Sequence, residues 1–79
     1  SAANMRVRGR LTTISGSGIA GMKVDIFSVG AGYFIRWAVV YTNSSGYFDI
    51  TTSKPAADQK IQIVVDGNGT YSQPFPTFN

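Results

Sequence analysis

The stretch TNSSGYFDI, residues 42–50, decides how the rest of the chain is read. It joins a polar cluster, Asn43-Ser44-Ser45-Gly46, to an alternating run, Tyr47-Phe48-Asp49-Ile50. Asn, Ser and Gly favour turns, and alternation at period two marks a strand with one buried face. The stretch therefore predicts a turn feeding a strand, with Phe48 and Ile50 inward and Tyr47 and Asp49 outward. Asn43-Ser44-Ser45 and Asn68-Gly69-Thr70 also match the N-glycosylation acceptor pattern, which matters only in a eukaryotic secretory source.

Similar punctuation recurs on either side. Met5 to Ile14 reads as a first strand, with Val7 and Leu11 on one face, Gly9 between them, and Arg6, Arg8 and Arg10 on the other. Ser15-Gly16-Ser17-Gly18 breaks it. Met22 to Val29 follows, with Met22, Val24 and Ile26 inward and Lys23 and Asp25 outward. Phe27 departs from that alternation and predicts a bulge or a covered outer face. After Gly30-Ala31-Gly32, the run Tyr33 to Thr42 is apolar on both sides: Tyr33, Ile35, Trp37, Val39 and Tyr41 against Phe34, Arg36, Ala38 and Val40. It reads as a central strand, or as one that presents aromatics to a partner. Ser53 to Asp58 is a loop containing Pro55, and Gln59 to Asp66 is a strand with Ile61, Ile63 and Val65 inward. Asp66-Gly67-Asn68-Gly69 signals a hairpin turn into a last strand, Thr70 to Gln73, which Pro74 and Pro76 confine to an edge or a tail. No segment carries a helical period, so the chain reads as all-β, with turn signals at the spacing of a sandwich or barrel.

Composition bounds the rest. A chain of 79 residues with no cysteine makes one small domain, 5–79, without disulfides or thiolate metal sites. Such domains lean on neighbours or on copies of themselves, so this one is expected to be excised from a longer protein. Ser1-Ala2-Ala3-Asn4 reads as a tag scar or flexible N-terminus. No apolar run approaches the roughly 18 residues that span a bilayer, so no membrane insertion is expected. The net charge is +3, yet only 14% of residues are charged, which argues against a nucleic-acid partner.

The stretches VRGRLTTISGSGIAGMKVDIFS and YTNSSGYFDI together resemble the carboxypeptidase regulatory-like and transthyretin-like domains. Val7, Gly9 and Leu11 match an opening V-x-G-x-V, and Ala20, Gly21, Met22, Val24 and Ile26 match the strand that follows. Thr42, Asn43, Gly46, Phe48 and Ile50 match T-[DN]-x-x-G-x-[FY]-x-[IL]. The B-type repeats of bacterial surface proteins look similar too. Covering about residues 5–66, the resemblance implies a small Greek-key β-sandwich, prealbumin-like or immunoglobulin-like, of about six to seven strands. Relatives that hydrolyse 5-hydroxyisourate use His and a terminal Tyr-Arg-Gly-Ser; this chain has no His and carries Phe75-Pro76-Thr77-Phe78-Asn79, so that activity is not expected. The B-type repeats often carry an isopeptide bond promoted by Glu or Asp. Here there is no Glu, and Lys23 lies in the second strand rather than the first, so none is expected.

Candidate chemistry is sparse. Without His, Cys or Glu the common general bases are missing, and the remaining Lys and Asp residues read as solvating groups, so no enzyme activity is expected. Asp25 and Asp49 could face each other across strands, although solvent-facing carboxylates more often only solvate the surface. Asp66, Asn68 and Thr70 alternate like calcium ligands, but Tyr71 stands where a calcium loop needs Gly, so neither metal nor cofactor is expected. Two surface sets remain as candidate ligand sites. Arg6, Arg8 and Arg10 project from one strand face at roughly 7 Å intervals, suited to phosphates or an acidic polysaccharide, to ion pairs with Asp25 and Asp49, or to a simple solvated edge. Tyr33, Trp37 and Tyr41 would align at about 13 Å steps, as a sugar-stacking platform if exposed and ordinary core if buried. Tyr47 and Arg36 are thin support for single-stranded nucleic acid.

The expected function is a non-catalytic accessory module of an extracellular, cell-surface or periplasmic protein, acting as a spacer or as a contact for neighbouring domains or a protein partner. A carbohydrate-binding module and an oligomerising subunit of a pilus or phage assembly are the alternatives.

Overall fold

The computed structural model describes residues 4–56 and 58–65. They are all-β, with five strands: β1 (Asn4–Arg10), β2 (Lys23–Gly30), β3 (Tyr33–Tyr41), β4 (Tyr47–Ser53) and β5 (Lys60–Val65). β1 and β4 form a two-stranded antiparallel sheet, and a three-stranded antiparallel sheet runs β3-β2-β5. The expected turn at Asp66 and strand at Thr70 to Gln73 lie outside the described residues, as do the Asn68 acceptor and the alternating oxygens from Asp66 to Thr70.

Alternation builds the core as the sequence predicts. Val7 of β1 joins Val24 and Ile26 of β2 and Ile61 and Ile63 of β5 in one buried cluster, with Met5, Trp37, Ala38, Val40, Phe48 and Ile50 packed against it. At about 1.5–3 kcal/mol per fully buried aliphatic side chain, this cluster is the main favourable term holding the two sheets. Gly9 sits opposite Phe48 in the β1–β4 register, and a side chain there would meet the Phe48 ring at 2.9 Å. The ring therefore fills the space that the glycine leaves open.

The segment from Thr42 to Gly46 locks three chain segments together. The Thr42 hydroxyl donates to the Ile19 carbonyl at 2.6 Å and accepts the Met22 amide at 2.8 Å. Asn43 Oδ1 accepts the amides of Ser45 and Tyr47, at 2.9 and 3.0 Å, which closes the turn. Gly46 adopts φ 88° and its carbonyl accepts the Leu11 amide at 2.9 Å. A Cβ at Gly46 would run into the Leu11 carbonyl and the backbone of Gly18 and Ile19, so glycine is required there on both counts.

Four expectations are corrected. The first strand stops at Arg10 rather than Ile14, because the chain then folds into a tight hairpin held by the Thr12–Gly18 bridge and the Thr13 N–H to Ser17 O bond of 2.8 Å. Among the described residues the third strand is an edge of its sheet, and β2 holds the centre. Asp25 points to the outer face as expected but is 1% exposed, because it lies between Val39 and Val64 in register and beside Arg36.

The fourth correction concerns the aromatic stripe. The expected bulge occurs: Ile26 pairs Ala38 but Phe27 pairs Arg36, leaving Trp37 as an extra residue on β3. Trp37 and Ala38 therefore both pack against the core. Alternation restarts across this point, so Tyr33 and Trp37 share the inner face while Tyr41 falls on the outer one. The three aromatics do not form one platform.

Candidate surface site on the two-stranded sheet

The three arginines do share a face, because β1 is regular from Asn4 to Arg10 and is paired along its length with β4. They are not equivalent there. Arg6 reaches diagonally to Asp49 in a two-point pair, Nε to Oδ1 at 2.9 Å and the terminal nitrogen to Oδ2 at 2.6 Å. The hydrogen bond from Arg6 holds the Asp49 carboxyl below its ordinary range; burial opposes it, and the Arg6 and Arg8 charges add smaller contributions in the lowering direction. The same bond raises Arg6 above its ordinary value. Both groups are exposed, so solvent screens the pair and it fixes direction more than stability.

Arg10 donates from Nε to the Ser45 carbonyl at 3.0 Å, and its guanidinium lies 5.1 Å from the centre of the Tyr47 ring. That geometry is a cation–π contact. Arg8 sits opposite Asp49 in register, and among the described residues no hydrogen bond or ion pair engages its guanidinium. Sequence reasoning offered ion pairing and ligand capture as alternatives for the whole row. The structure divides them, with Arg6 in an ion pair, Arg10 in a turn cap and Arg8 available.

A shallow cavity of about 390 Å³ opens between these groups, lined by Arg8, Gly9, Arg10, Tyr47, Phe48 and Asp49. A second, of about 170 Å³, shares Arg8, Gly9, Arg10 and Phe48 and reaches Leu11, Ile63 and Val65. Gly9 itself lies on the inner face of β1 against Phe48, so the lining draws Arg8, Arg10, Tyr47 and Asp49 from the outer face and Gly9 and Phe48 from the inner one. The larger cavity brings two guanidiniums, those of Arg8 and Arg10, against the one carboxylate of Asp49, so its balance is cationic. A small carboxylate, sulfate or phosphate can be held there by Arg8 through charge-assisted hydrogen bonds, with Arg10 reinforcing the field.

The other candidates are dispersed. Trp37 donates from its indole to the Ser53 carbonyl at 2.7 Å, bracing β3 against β4, and is half-buried. Tyr41 is 61% exposed on the far side of its sheet. Arg36 lies in the three-stranded sheet and Tyr47 in the two-stranded one, so they form no common surface; Asp25 and Asp49 are separated in the same way and do not face each other. Arg36 Nε stands 3.0 Å from Asp25 Oδ1, close enough for an ion pair although the N–H is not aligned for a hydrogen bond. Among the described residues, no three acidic, His or Cys side chains come together as metal ligands. The chain matches no protein-family model, no curated protein and no solved structure.

Proposed function

We propose that the chain is a non-catalytic accessory module of a secreted or cell-surface multidomain protein, serving as spacer and contact domain. In this reading the two sheets are the halves of a small Greek-key β-sandwich of the carboxypeptidase regulatory-like kind. One observation carries it: the hydroxyl of Thr42, the amide oxygen of Asn43 and the left-handed Gly46 are all engaged in joining strand ends. The most family-like segment thus builds scaffold, and ligand contact is left to the outer faces of the sheets. Those faces are cationic, with Arg6, Arg8 and Arg10 on one sheet and Lys23, Arg36 and Lys60 on the other, so acidic partners are favoured.

The division among the arginines favours one particular contact, an acidic polysaccharide lying across the groove at Arg8. The aromatic-platform form of carbohydrate binding loses its support with the stripe split at Trp37. NMR shift mapping against an acidic oligosaccharide, a neutral one and an acidic peptide tests both statements. Perturbations from the acidic ligands are expected at Arg8, Gly9, Arg10 and Tyr47, with the amides of 42–45 unmoved. A response centred on Thr42 to Ser45, or an equal response to the neutral sugar, overturns the reading.

A further inference from the structure

We infer that the β3 edge is a self-association site, at which a second copy of this chain adds its own β3 in antiparallel register. β3 has nine residues, more than any other strand here, and among the described residues it pairs with β2 alone. Edge strands are normally guarded by charge or proline. β1 carries three arginines, β4 carries Asp49 and β5 carries Lys60, whereas the one charge in β3 is Arg36, drawn to the buried Asp25.

Exposure along β3 points to an in-plane neighbour rather than a docked face. Phe34 is 60% exposed and Ile35 46%, and consecutive residues project from opposite faces. A partner lying on one face would cover one of them, while a strand added beside β3 covers both.

Register identifies the occupant. β2 and β3 join through the two-residue turn Ala31–Gly32, so the closing pair Gly30–Tyr33 bonds within the hairpin. Alternation then aims the backbone N–H and C=O of Phe34 and Arg36 toward the free edge, until the bulge at Trp37 ends the regular segment. In an antiparallel pair, edge-facing residues bond to edge-facing residues. Placing Ile35 on the two-fold axis therefore pairs Phe34 of each copy with Arg36 of the other and forms two bonded residue pairs. Each guanidinium then meets an aromatic ring already stacked on Phe27 at 4.5 Å, and two isoleucines meet at the axis. Shifting the pairing by one step to Arg36 against Arg36 opposes like charges. The short matching segment makes this a weak contact, well under the roughly 1,000 Å² of a stable interface.

The chain contains no cysteine, which permits a direct test. Residues opposed at a non-bonded antiparallel pair have Cα atoms about 4.5 Å apart, within disulfide range. Under mild oxidation Ile35→Cys is expected to form a covalent dimer at least about tenfold faster than Ile14→Cys, a control at an exposed hairpin tip, because pairing raises the local thiol concentration. In parallel, sedimentation of the unmodified chain up to about 1 mM is expected to show a weak dimer. Ile35→Lys, which places two ammonium groups at the axis, abolishes that dimer, and Tyr41→Lys does not. Equal cross-linking of the two cysteine variants, or a dimer indifferent to Ile35→Lys, overturns the pairing. A chain monomeric at 1 mM overturns the second copy as occupant and leaves the edge to an extended segment of another protein.

Discussion

Replacing Thr42 by Val removes one oxygen and keeps the volume almost unchanged, which makes it the sharpest probe of the turn. Thr42 is buried, and its hydroxyl serves the Ile19 carbonyl at 2.6 Å and the Met22 amide at 2.8 Å. The backbone bonds of the same residue, Thr42 N–H to Met22 O and Gly21 N–H to Thr42 O, both 3.0 Å, survive the substitution. What is lost is a partner for one donor and one acceptor, each worth about 1–3 kcal/mol when left unpaired and buried. Both sites are only part-buried, so the lower end of the sum applies, about 2–3 kcal/mol. In a domain of this size each kcal/mol shifts Tm by about 4–8 °C, so a fall of roughly 10–20 °C is expected. Thr42→Ser retains both bonds and loses a methyl group, for about 1 kcal/mol. Urea and thermal unfolding followed by Trp37 fluorescence measure both. If Thr42→Val stays within about 0.5 kcal/mol of the parent chain, or Thr42→Ser is equally damaging, the hydroxyl does not hold the turn and the reasoning fails.

Three further outcomes follow from neighbouring geometry. Gly46→Ala is expected to cost more than about 2 kcal/mol, since left-handed strain alone accounts for 1–2 and the new Cβ meets backbone of Leu11, Gly18 and Ile19; a circular-dichroism melt that is unchanged contradicts this. Ser28 is fully buried with no hydrogen-bond partner for its hydroxyl among the described residues, so Ser28→Ala is expected to leave Tm unchanged or raise it by the equivalent of about 1 kcal/mol. A clear drop would show that the hydroxyl is engaged. The folded chain holds Asp49 below its ordinary pKa, so its contribution is complete above the unfolded carboxylate value and is lost as pH falls through the folded one. Asp49→Asn should therefore lose a little stability at neutral pH and show a flatter acid limb below about pH 4 in melts from pH 7 to pH 2.5, and added salt should shrink the difference.

Much of this fold is legible in the sequence, because local rules suffice wherever a strand buries one face. Ile61, Ile63 and Val65 alternate and are all buried; Phe48 and Ile50 face the core, and Tyr47 and Asp49 are exposed. What the sequence hides depends on pairing. Alternation puts Asp25 on the outer face but cannot reveal that Val39 and Val64 flank it there. Phe27 signals irregularity, yet the extra residue belongs to the partner strand, at Trp37, and only the register shows which aromatics change face. Double-sided apolarity in β3 suits a central strand equally well, and only the strand order makes it an edge among the described residues. The arginine row is visible as a row, but the separate fates of Arg6, Arg8 and Arg10 depend on where Asp49, Ser45 and Tyr47 arrive from β4 and its turn.

The claim that residues 42–50 are scaffold meets its most direct test in amide hydrogen exchange. The amides of Leu11, Ile19, Gly21, Thr42, Asn43 and Gly46 all donate to backbone carbonyls around this turn, at 2.8–3.0 Å. If the turn is part of the fold's cooperative unit, they exchange with protection close to that of Ile26 in the central strand. Rapid exchange at these six positions, while Ile26 stays protected, would show a loop free to serve as a site and would contradict the account.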